Sequence, residues 1–145
     1  MIIAVDPGAT GGIAWTDADG IVRAEPMPDG MTEQVDFFSA LQREITHGCT
    51  TYMEKVGGYV PGNSGPAAAT FARHCGHLEA MLYCLGYSVV GVVPSKWMRP
   101  LNCPKDKAER KRHIKESMAR LYPHLHVTLK TADALGILTW AREAK

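Results

Sequence analysis

The first dozen residues constrain the fold more than any other stretch of the chain. Ile2-Ile3-Ala4-Val5 is an unbroken apolar run that ends at Asp6-Pro7-Gly8. A short apolar run without polar alternation is the pattern of a strand buried on both faces, and proline and glycine terminate it at once. The chain therefore has to cover this strand from two sides, which favours a sheet with helices on its faces. Asp6 then stands at a strand end, where a cleft can form. A carboxylate so near buried structure needs a cation, a donor or water, because an unpaired buried charge is too costly for a small domain.

The remaining segments can be laid out in order. Residues 11–16 and 21–27 read as two further strands, with Asp17-Ala18-Asp19-Gly20 as the hairpin turn between them. Helical spacing of Val35, Phe38, Leu41 and Ile45 predicts a helix over 32–46 with Thr32 as its N-cap. Thr50 to Glu54 is a strand that again ends in an acid, and residues 56–66 form a glycine-rich and proline-rich loop. A helix over 67–85 stops at Gly86, a strand covers 87–93, and helices are expected from Ser95, over 106–121 and over 131–144. The order βββαβαβαα describes one domain of 145 residues. Its sheet is mixed: an antiparallel three-strand meander, then two strands that crossover helices return parallel to the first.

That arrangement brings Asp6 and Glu54 to the same edge of the sheet. Asp133, in the first turn of the last helix, is the natural third member, since a carboxylate is favoured near a helix N-terminus. Three converging carboxylates repel one another, so the grouping makes sense around a hard cation such as Mg2+, for which Mn2+ can substitute. Such a centre supports in-line displacement at a phosphodiester.

Charge points to the same class of substrate. The net charge is +1, but residues 96–130 hold ten Lys or Arg against Asp106, Glu109 and Glu116, a net of +7 that leaves −6 elsewhere. This split fits a polyanion-binding face beside an acidic pocket, and it also fits a solvated helix face. Cys49, Cys75, Cys84 and Cys103 show no zinc spacing and read as reduced thiols. His74, Cys75 and His77 lack a recognisable fourth ligand. No apolar run approaches the ~20 residues that cross a bilayer, and Asp6 and Pro7 interrupt the N-terminal run too early for a signal peptide, so a cytoplasmic protein is expected.

These motifs resemble those of the RuvC-type Holliday junction resolvases, which have the RNase H-like fold. Ile3-Ala-Val-Asp6-Pro-Gly-Ala-Thr-Gly-Gly-Ile-Ala14 is similar to the family's opening strand, Tyr52-Met-Glu54-Lys-Val56 to its second acidic motif, Phe71-Ala-Arg-His-Cys-Gly76 to a segment of the following helix, and Thr131-Ala-Asp133-Ala-Leu-Gly136 to its closing helix. The resemblance implies metal binding and catalysis by Asp6, Glu54 and Asp133, with Lys96 and Lys107 near the scissile phosphate. DNA contacts are expected from Tyr59, Arg99, Lys105, Arg110, Lys111, Arg112 and Lys115. It further implies a homodimer that nicks four-way junctions symmetrically, with the 67–85 helix and its Phe71, Leu78, Met81 and Leu82 as the interface, although simple core packing explains the same apolar stripe equally well. Compact size and divergent loops look more like a phage or prophage version. The chain departs from the family at Lys130, where a fourth acid is usual, and at Gly57, where an aromatic is common, with Tyr59 two residues on.

Two other nucleic-acid readings stand beside this one: a nuclease of the same fold with another target, such as RNA or a fork, and a branched-DNA binder that does not cut. The Asp6-Pro-Gly turn also resembles the phosphate loop of actin-like ATPases and sugar kinases, but those need a second lobe that 145 residues do not supply.

Overall fold

A computed structural model describes residues 1–45, 48–56 and 64–144. Its elements are β1 (Ile2–Asp6), β2 (Gly12–Thr16), β3 (Val22–Pro26), α1 (Gly30–Glu44), β4 (Thr50–Glu54), α2 (Gly65–Cys84), β5 (Ser88–Val92), α3 (Pro94–Met98), a 3-10 turn at Arg99–Leu101, α4 (Lys107–Leu121) and α5 (Ala132–Glu143). The five strands form one sheet in the order β3-β2-β1-β4-β5. The first three pair antiparallel, while β4 runs parallel to β1 and β5 parallel to β4. This is the mixed five-stranded sheet expected from the sequence, with its most apolar strand in the middle.

Side chains alternate across β1, so each half of its apolar run feeds a different core. Ile2 and Ala4 join one that contains Trp97, Ile114, Met118, Leu135, Ile137 and Leu138, contributed by α3, α4 and α5. Ile3 and Val5 join the other, with Phe38, Leu41, Leu78, Leu82 and Tyr87, beneath α1 and α2. Both cores are sealed, as a strand buried on both faces requires.

Local signals set most boundaries. Asp17 Oδ1 accepts hydrogen bonds from the backbone N–H groups of Asp19 (3.1 Å) and Ile21 (2.8 Å), closing the β2–β3 hairpin at Gly20. Ser64 caps α2 by accepting from Ala67 N, and Asp106 caps α4 by accepting from Glu109 N. At the end of α2, Gly86 adopts φ +82°, and Tyr87 N donates back to Leu82 O. Thr32 is not the cap of α1: the chain turns at Gly30, with φ +79°, and Thr32 falls inside the first helical turn. No helix among the described residues is long and apolar enough to cross a membrane.

Candidate metal and nucleic-acid site

The parallel register of β1 and β4 pairs Val5 with Met53, so the next residues, Asp6 and Glu54, end their strands side by side. Alternation also fixes their face. Ile2 and Ala4 point into the core under α3, α4 and α5, and Tyr52 packs against the same core. Asp6 and Glu54 follow at the same two-residue period and therefore face α5, which carries Asp133 in its first turn. Sheet pairing and pleat thus account for the convergence.

Gly12 permits α5 to arrive so close, while Gly11 lets the turn after Asp6 close on itself. A Cβ on Gly12 would lie 2.5 Å from the Lys130 carbonyl oxygen, and one on Gly11 would lie 2.1 Å from the Asp6 carbonyl oxygen. The segment leading into α5 therefore rests directly on β2. Thr131 Oγ1 accepts from Thr128 N at 3.0 Å, while Ala132 N donates to Thr128 O, which fixes the entry to the helix. At Lys130 the carbonyl faces Gly12 and the residue is exposed to solvent.

The three acids are held in an environment that opposes their charge. Burial pushes Asp6 well above the usual carboxylate range, and Glu54 and Asp133 push it further, while Lys111 acts in the opposite direction. Glu54, only 8% exposed, is pushed up to about 7 by burial, offset in part by a hydrogen bond from Trp97 and reinforced by Asp133. Burial also raises Asp133, against the fields of Lys111 and Arg110. Among the described residues no ion pair reaches any of the three, and the salt bridge present is Arg23–Asp17 on the hairpin. Oxygen donors so placed, with Glu54 buried and Asp6 and Asp133 half-buried, repelling one another without an ion-pair partner among the described residues, fit a hard divalent cation. They do not stand as a finished cage: among the described residues no three Asp, Glu, His or Cys side chains are grouped closely enough to hold an ion as they lie.

Several contributors escape motif reading. Trp97, fully buried, donates its indole N–H to Glu54 Oε1 at 2.9 Å. Its ring fits because residue 136 is glycine, where a Cβ would come within 2.6 Å of Trp97 Cζ3. The sequence does contain one signal, since a tryptophan in a short amphipathic segment needs a partner for its N–H once buried. On the opposite side, the Phe71 ring lies 3.1 Å from where a Cβ of Gly8 would stand. Nearby Cys75 has its thiol raised by burial and by the charges of Asp6 and then Glu54. The first half of α2 therefore roofs the Asp6-Pro7-Gly8 turn.

The basic residues divide into groups. Lys111 and Arg110, on α4, are the cations whose fields reach the acids. Arg99, Lys105 and Arg110 line one depression, and Lys96 lines another with Arg99, Trp140 and Glu143. Lys107, Arg112 and Lys115 are exposed along α4. Asp133 and Glu143 lie ten residues apart on α5, about 15 Å of helix axis. The Lys96 depression thus abuts the far end of α5 from the acids. Tyr59 lies outside the described residues.

No family model matches the sequence, and no curated protein matches it. Solved structures do. The structure of Thermus thermophilus RuvC superposes with a TM-score of 0.54 at 17% identity, covering 99% of this chain and 96% of that one. T. thermophilus RuvC in complex with Holliday junction substrate gives 0.59 at 15% identity, covering 98% and 95%. At such identities the likeness establishes a shared fold over nearly the whole chain.

Proposed function

We propose that this chain is a RuvC-type, metal-dependent endonuclease that cuts branched DNA, with the four-way junction as its preferred substrate. The observation that carries this reading is the convergence of Asp6, Glu54 and Asp133 on one sheet edge, Glu54 buried and the other two half-buried, without an ion-paired cation among the described residues, beside the basic face of α4. Mg2+, or Mn2+ in its place, would be held by these three carboxylates after their side chains turn towards it. Bound there, the ion supplies charge stabilisation and an activated water for phosphodiester hydrolysis.

The protein's own residues do the rest. Trp97 holds one oxygen of Glu54 and leaves the other available. Lys111 and Arg110 offset negative charge at the mouth of the site, where a backbone phosphate would approach. Lys96 and Lys107 are assigned to the DNA flanking the cut, and Arg112 and Lys115 to backbone contacts along α4. A homodimer matches the near two-fold symmetry of a four-way junction. Leu78 and Leu82, expected at its interface, are instead fully buried in the chain's own core because they pack against β1 and α1, so the surface assigned to the dimer is the exposed side of α2, with Tyr83 56% exposed.

A second reading, binding without cutting, is favoured by Lys130 in place of a fourth acid and by the open arrangement of the ligands. One experiment separates the readings. Four-way, forked, duplex and RNA-containing substrates are incubated with the protein in Mg2+. Paired nicks in the four-way junction support the proposal, preference for another substrate replaces it with a different nuclease, and tight junction binding without nicks supports the second reading.

A further inference from the structure

A depression of about 370 Å3 lies between the 3-10 turn and α4. Arg99, Lys105 and Arg110 enter its walls from three separate segments, beside Ser95, Asn102 and Cys103, and no carboxylate lines it. Asp106 lies next to Lys105 in sequence, but its Oδ1 accepts from Glu109 N at 2.9 Å.

The depression is built in its backbone as well as its charges. Asn102 adopts the left-handed region, φ 50°, where the chain leaves the 3-10 turn and reverses towards α4. Asparagine tolerates that conformation better than most residues. Arg110 is partly buried, and its Nη1 donates to the Lys105 carbonyl at 3.1 Å. That bond ties the guanidinium to one wall and orients its remaining donors. A cation so anchored gives up less side-chain freedom when it takes a ligand than a free lysine does.

We propose that this depression is an anion subsite that seats one backbone phosphate beside the phosphate to be cut, with Arg99 and Arg110 as forked donors, Lys105 as a point charge, and Ser95 and Asn102 as neutral donors. It rests on the branched-DNA reading of the acid cluster and adds to it a fixed register for the strand. Guanidinium groups match the paired oxygens of a phosphate diester better than an ammonium does. Arg110 stands on α4, which packs against the α5 that carries Asp133, and its field reaches both Asp133 and Cys103, so the subsite lies on the same side of the molecule as the acids. Arg99 also lines the neighbouring depression that holds Lys96 and Trp140. A strand leaving the acids therefore meets cations in the order Arg110, Arg99, Lys96. Because a phosphate contact carries no base information, the subsite positions the strand without selecting its sequence.

The test measures junction binding by fluorescence anisotropy in EDTA, where no cutting occurs, across a salt series. Native protein is compared with Arg99→Ala, Arg110→Gln and Arg110→Lys, on junctions that each carry one neutral methylphosphonate near the branch point. Arg99→Ala is expected to weaken binding about ten-fold and to lower the log–log salt slope by about 1. Arg110→Lys should lose less than Arg110→Gln. One methylphosphonate position should weaken native binding similarly and cost Arg99→Ala little more. The proposal is overturned if Arg99→Ala, with an unchanged melting temperature, keeps native affinity and slope, or if every methylphosphonate penalty adds in full to that variant. Failure of native protein to bind any branched DNA would overturn the functional reading itself, a different outcome from either.

Discussion

The two faces of the sheet are built to different standards. On one, α5 buries seven of its twelve residues, from Ala132 to Ala141, against β1, β2, α3 and α4. On the other, α2 is longer, twenty residues, yet buries only Leu78 and Leu82. The first helix delivers Asp133 and is fixed from all sides. The second covers the Asp6 turn with Phe71 and leaves most of its surface to solvent. The helix that carries Asp133 is thus immobilised by packing, while α2 keeps the spare surface on which the proposed dimer would form.

The largest effect that would break this comparison comes from the cores. Leu138, fully buried in α5, should cost about 2–5 kcal/mol when replaced by alanine, whereas Tyr83→Ala on α2 should cost within about 0.5 kcal/mol. Urea unfolding of the two variants checks it, and equal losses would mean that the faces are equally committed.

Next in size is a pH effect confined to the α5 side. The carboxyl of Glu54 titrates at about 7 in the fold against 4.5 when free. Between those values the folded chain keeps a proton that the unfolded chain has lost, so stability is full below about 4.5 and drains as pH rises through 7. The loss is on the order of 3 kcal/mol, and raised Asp6 and Asp133 act in the same direction. Melting of the metal-free protein should therefore fall from pH 5 to 8, Glu54→Gln should flatten that fall, and Mg2+ should recover stability at pH 8 by replacing protons. A melting temperature that rises over this range would contradict the electrostatic account.

Smaller again is the effect of filling the notch that accepts Trp97. Gly136→Ala places a methyl against the indole, with an expected cost of about 1–3 kcal/mol. If the ring shifts to relieve it, the Trp97–Glu54 hydrogen bond loosens, and tryptophan fluorescence should change together with stability. Unchanged stability and fluorescence would show that the α5 face is less tightly packed than described.

How much of this was legible in the sequence follows from the range of each signal. The apolar run of β1, the acids ending β1 and β4, and Asp133 at a helix start are local patterns, so the sheet and the placement of the three acids on their elements could be read directly. Trp97 and Glu54 lie 43 residues apart, and only the folded chain brings their partnership into being. Gly12 read as part of a glycine-rich turn, yet its role is to admit the backbone of Lys130, more than a hundred residues away. Among the lysines, sequence drew attention to Lys96 and Lys107, while the field at the acids comes from Lys111. Which turn of α4 faces the sheet edge depends on helix packing, and a charge count carries no such information. Thr32 failed as a cap because Gly30 starts the helix earlier.

The central claim is that the carboxylates at the ends of β1 and β4 and the start of α5 form one metal-dependent cutting centre. Cleavage of a four-way junction in Mg2+ by the native chain and by Asp6→Asn tests it most directly. The account predicts paired nicks by the native protein and none by Asp6→Asn, with junction binding in EDTA retained by both. Undiminished cleavage by Asp6→Asn would contradict it.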